Sequence, residues 1–185
     1  IEAEGCEAIL PGFTDFILNA LYTGDWNYEH LGTDKKARHV KKTLSWSIER
    51  YRTPVRKAIR GAHGKFSQPP RIEEMAQKAS TVLSLGNQAG EGWLLTGEML
   101  ELLHDGVHNI VCVQPFACLP NHITGIGLIR EIQRRYPRAN IAAIDYDPGA
   151  SAVNQINRIK LMLATAMNRT RTQHADPIAE TITTA

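Results

Sequence analysis

Several things are scarce in this chain. Cysteine occurs three times in 185 residues, at Cys6, Cys112 and Cys118. Three scattered thiols exclude a disulfide scaffold and make a reducing, cytoplasmic setting the expectation. Aromatic residues are 6% of the chain and are not interleaved with basic residues in a base-stacking pattern, so nucleic acid is not an expected partner. No apolar run approaches the roughly 18 residues of a membrane span, and no signal peptide opens the chain, so no membrane partner is expected. Also missing are a Ser-His-Asp order, paired catalytic cysteines, a His-Glu-x-x-His pattern and a complete phosphate loop; Gly125-Ile126-Gly127 lacks the third glycine and the following lysine and serine.

What is present is an ordinary domain's worth of chain, 43% hydrophobic, with a net charge of only +2. The charge is unevenly placed. Eleven basic residues lie between Lys35 and Lys65 against Glu49 alone, and the rest of the chain is correspondingly acidic. Asp34 is a suitable N-cap for a helix from Lys35, with Val40, Leu44, Ser47, Ile48 and Tyr51 as its apolar stripe and a kink or break at Thr53-Pro54. This basic helical insertion, about 27–68, reads either as a solvated face or as a surface for an anion or a partner domain.

Around it the pattern is βα. Ala8-Ile9-Leu10 reads as a first strand ended by Pro11, and Phe13, Phe16, Ile17, Ala20 and Leu21 as a helix closed at Thr23-Gly24-Asp25. Helices follow at Ile72–Leu83 and Leu95–Leu103. Ile110 to Val113 is a strand stopped at Gln114-Pro115, and a loop held between Pro115 and Pro120 leads to a helix starting near Thr124. Ile141 to Ile144 is the next strand, with Asp147 as N-cap and Pro148 as first residue of the last helix. The expected fold class is α/β, a Rossmann-like three-layer domain with a short parallel sheet, occupying residues 1–168 as a piece of a larger chain, with 169–185 a poorly structured tail.

Strand-exit loops of a parallel sheet converge on one edge, where ligands sit. Pro11–Asp15, Pro115–His122 and Asp145–Pro148 are the three such loops. They make Cys118, Asn121, His122 and Asp145 candidate cofactor-contacting residues. Each has a structural alternative: a free loop thiol, backbone hydrogen bonding for Asn121 and His122, and burial for Asp145. Cys118 and His122 alone make a poor structural zinc site. Glu91 reads as a substrate-side carboxylate or as a helix N-terminal charge.

The stretches CVQPFACLPNHITG and RRYPRANIAAIDYDPGASAVNQINRIKLML, together with EGWLLTGEMLELL and LPGFTDFIL in that family's order, resemble the C-terminal part of the 2-hydroxyacyl-CoA dehydratase-related family, and most closely the large CoA-substrate-specific enzyme activases. The resemblance spans roughly residues 8–165. It implies an iron–sulfur, electron-accepting component fused to an ATP-driven activase, with an acyl-CoA or other small anionic substrate. By that resemblance Cys118 matches a metal-ligand position for an iron–sulfur cluster, with the other ligands outside this chain and no cluster held by this chain alone. The alternative is a non-catalytic interaction module that docks a partner domain through the basic helix.

Overall fold

The computed structural model describes residues 1–62, 66–115, 117–147, 149 and 151–175. Phe116, Pro148, Lys65 and the last ten residues of the expected tail therefore lie outside the described residues. The fold is mixed α/β and mostly helical, with one two-stranded parallel sheet among the described residues.

Helix α1 (Phe13–Leu31) runs past the expected stop at Gly24 and ends at Gly32, whose left-handed φ of 65° suits a glycine. Gly24 has a packing role instead: a Cβ there would lie 2.5 Å from Cδ of Lys41 on the neighbouring helix. That helix, α2 (Lys35–Gly61), is capped by the Asp34 carboxylate, which accepts from the Lys36 amide as the sequence suggested. It continues through Pro54, although proline withholds a donor from the Arg50 carbonyl. No residue of α2 is buried.

The expected apolar stripe of α2 does not form its packing face. Ile48 packs against the core, while Val40 and Tyr51 are 59% and 85% exposed and Leu44 is exposed with them. The face turned to α1 is the charged one. Arg38 pairs with Asp25 and lies over the Tyr28 ring. Arg52 lies 2.9 Å from Asp15 and 3.0 Å from Glu49, and Arg56 reaches Glu49 and the carbonyls of Pro69 and Pro70. Complementary charge on α1 outcompetes the stripe because each guanidinium finds a fixed acceptor.

Helices α3 (Ile72–Ser80) and α4 (Trp93–His104) follow, then β1 (Asn109–Pro115), α5 (Leu119–Thr124), a 3-10 turn, α6 (Ile129–Arg135), β2 (Asn140–Tyr146) and α7 (Ala152–Ala175). Two apolar clusters share α4. Trp93 and Leu94 join Leu18, Ile72 and Met75 in one; Met99, Leu100 and Leu103 join Ile110, Cys112 and Ile132 in the other.

Strands β1 and β2 pair in parallel, with Gln114 opposite Asp145. Ile110 and Cys112 face α4, and α7 packs against the sheet, chiefly β2. Three expectations change. Ala8–Leu10 is not a strand: it is exposed and has no backbone hydrogen bond among the described residues, so Pro11–Asp15 is not a strand-exit loop. Asp147 does not cap α7, which starts at Ala152 with the Ser151 carbonyl accepting from Asn154 and Gln155; Gly149 in a turn delays the helix. The expected tail is helical as far as Ala175.

Candidate functional site at the carboxyl end of the strands

β1 ends at Pro115, and two residues later Ala117 takes a left-handed φ of 56°, rare for a residue with a Cβ. That turn reverses the chain into α5, which begins earlier than Thr124 because Pro120 near its first position withholds no needed donor. Cys118 is therefore the N-cap residue of α5, half-buried, with a free thiol. Asn121 and His122 lie inside the helix rather than in a loop. The His122 Nδ1–H donates to the Cys118 carbonyl at 2.9 Å, so this ring nitrogen serves the backbone and not a site shared with the Cys118 sulfur. Asn121 is buried.

Asp145, on β2, is half-buried and accepts from Nε2 of the buried Gln114 at 2.5 Å. The Gln114 Oε1 is buried without a partner among the described residues. Because the strands are parallel, Cys118 follows, and Asp145 lies near, the same edge of the sheet, as expected. No group of three or more His, Cys, Asp or Glu side chains able to hold a metal occurs among the described residues.

Glu91 is separate from this cluster. It precedes α4, where Gly92 takes a φ of 54° and a Cβ would approach the Asn87 carbonyl oxygen to 2.1 Å, so the loop closes tightly on the helix. The Glu91 carbonyl accepts from Asn19 on α1. Its side chain lines a cavity of about 530 Å³ beside β1, together with Glu98 and Cys112.

Sequence reasoning missed Glu98. Burial, reinforced by the negative charges of Glu91 and Asp15, pushes its carboxyl from the ordinary 4.5 up to about 8. The signal was legible: Glu98 stands four residues from both Leu94 and Leu102, on the apolar face of α4. Burial, with Glu91 and Glu98 adding to it, also pushes the Cys112 thiol up to about 11, so this thiol is inert at neutral pH. Gly125 allows α5 to close over it, since a Cβ there would come within 3.2 Å of the Cys112 sulfur and within 2.6 Å of the Asn121 carbonyl oxygen.

The buried Asp15 was missed as well. Arg52 lies beside it, yet desolvation still raises its carboxyl above the ordinary value. The attraction of Arg52 and Arg56 is outweighed by burial, with the nearby negative charge of Glu49 adding to the rise.

Comparison with known proteins finds no matching family model, curated protein or solved structure. No helix among the described residues is long and apolar enough to cross a membrane.

Proposed function

We propose that this chain is the C-terminal lobe of an iron–sulfur, electron-accepting component related to the 2-hydroxyacyl-CoA dehydratases, and that in its parent protein it works with an ATP-driven activase. The observation that carries this reading is the place of Cys118. It is a half-buried free thiol at the cap of α5, just past the carboxyl end of a parallel strand. Iron–sulfur clusters are held by cysteine sulfur, and a cysteine at this place can offer it. The tight turn at Ala117 and the proline in the first turn of α5 fix the sulfur's position before any metal arrives.

In this reading the lobe is one part of a Rossmann-like, three-layer arrangement. It supplies one thiolate, other parts of the parent supply the remaining ligands, and the lobe alone is not catalytic. Asp145 and Gln114, joined to each other at the same edge, position polar groups beside the site. A CoA-type or other small anionic substrate fits the resemblance.

The test is anaerobic iron and sulfide analysis of the full-length protein. Cys118→Ala is expected to lose bound iron, and Cys112→Ala, in the strand, to keep it. Equal iron in Cys118→Ala and wild type would remove Cys118 as a ligand; loss in Cys112→Ala alone would assign the wrong thiol.

A second reading is favoured by α2. Its exposed Val40, Leu44, Tyr51 and Val55 recur at helical spacing, beside the basic side chains of Lys36, Arg50 and Lys57. Such a face suits docking of a partner domain. Leu44→Lys would abolish that association and leave bound iron unchanged.

A further inference from the structure

We infer that the free edge of β1 is a docking slot for one extended peptide strand of a partner chain, apolar on both faces and carrying a lysine or arginine that meets Glu98. The shape of the 530 Å³ cavity is the first reason. It touches Asn109, Ile110, Val111, Cys112 and Val113, five consecutive residues. Side chains alternate across a strand, so a cavity on one face would meet every second residue. Contact with consecutive residues places the cavity along the edge of β1. Of β2 only Tyr146 contributes, so this is the edge away from β2.

Hydrogen bonding is the second reason. Alternate residues of a parallel strand direct N–H and C=O groups to each side. Among the described residues, Ile110 to Val113 make no backbone hydrogen bond apart from those to β2. Parallel sheets of only two strands are uncommon, and an added strand lies about 4.8 Å from its neighbour. The slot's walls are helices: Leu95, Met99 and Leu102 of α4, and Ile159, Met162 and Leu163 of α7. A strand inserted there has both faces against apolar side chains, which selects an all-apolar sequence over an alternating one.

Charge is the third reason. The lining contains Glu7, Glu91 and Glu98 and no lysine or arginine. No ion pair or side-chain hydrogen bond reaches the Glu98 carboxyl among the described residues. A cationic side chain on the incoming strand supplies the missing partner. The chain's own residues 6–11 lie along the slot without a backbone bond from Glu7 to Pro11, and they are the competing occupant. They fit it less well. The apolar run is three residues long, Pro11 ends it, and Glu7 adds a carboxylate where a cation is wanted.

The experiment is hydrogen–deuterium exchange of the chain with capped peptides seven residues long, the length of β1. One peptide has a central lysine among valines and isoleucines, one has glutamate in place of the lysine, and one has alternate amides N-methylated. The lysine peptide is expected to slow exchange at 110–113 with a Kd on the order of 10–100 μM. Either altered peptide is expected to bind at least about tenfold more weakly, and Glu98→Gln to weaken the lysine peptide by a similar factor. Equal binding of the N-methylated peptide would reduce the slot to a greasy cavity and overturn the proposal. So would equal binding of the glutamate peptide, or no binding of any peptide at about 1 mM. Strong protection of residues 8–10 without peptide would assign the slot to the chain itself and would also overturn it.

Discussion

The helical N-terminal half and the α/β C-terminal half are held by different forces. Between α1 and α2 the contact runs through Asp15, Arg52, Glu49 and Arg56, and α2 buries no residue. Around β1 the contact runs through Ile110, Cys112, Met99, Leu103 and Ile132, almost without charge. The difference teaches where each half is vulnerable. An apolar core fails when volume is removed, whereas an ionic seam fails when one partner is removed and the other stays buried. Helix α4 belongs to both, with Trp93 and Glu98 on the same element.

The largest effect is expected where the halves meet. Trp93→Ala removes a side chain that is 1% exposed and stands edge-on to Tyr22, and should cost about 4 kcal/mol in denaturant unfolding. A cost below about 1 kcal/mol would show that the two halves do not share this core.

Next comes the ionic seam. Arg52→Ala leaves Asp15 buried beside Glu49 with its nearest cation gone, and should cost about 3 kcal/mol at pH 8. The Asp15 carboxyl is already raised by burial, and losing Arg52 raises it further. A raised carboxyl favours folding below its unfolded value and loses that contribution as pH rises through the folded value. The cost of Arg52→Ala should therefore shrink from pH 8 to pH 5. A pH-independent cost would mean the seam is packing rather than charge.

The third prediction separates Glu98 from that seam. Its carboxyl moves from 4.5 to about 8, so the protonated form favours the fold. Stability should fall by about 3.5 kcal/mol as pH rises from 5 to 8, and Glu98→Gln should flatten that fall. Parallel pH curves for the variant and wild type would place the Glu98 carboxyl in water. The smallest effect is at the exposed start of α2: Asp34→Ala should cost about 1 kcal/mol, lowering the denaturation midpoint without changing the slope.

Local signals were the legible ones. The strands β1 and β2, the helices α3 and α4 and the cap at Asp34 follow from periodicity and turn chemistry within a few residues. The placement of Cys118 past β1 and of Asp145 near the same edge was legible too, because parallel βα order fixes which end a loop leaves from. What failed was decided by distant partners. Gly24 looked like a helix stop because nothing nearby in sequence announces that Lys41 will cross it. The stripe Val40–Leu44–Tyr51 looked like a packing face because the acceptors for Arg38 and Arg52 lie on another helix. Ala8–Leu10 had strand composition, but composition does not form the ladder. Glu98 is the exception, since its charge on an apolar helix face is a local signal of its burial.

Pro54 carries one more consequence. In backbone terms α2 is two helices meeting at a missing hydrogen bond. Glu49 lies before the gap and Arg56 after it, and their 2.5 Å ion pair spans it, with Arg56 also anchored to the carbonyls of Pro69 and Pro70. The joint is thus braced from outside by an electrostatic splint. Both side chains are nearly nine-tenths buried, so dissolved salt screens this pair far less than it would an exposed one. The proline joint in the longest helix among the described residues is therefore held by a brace that changes of ionic strength leave largely in place.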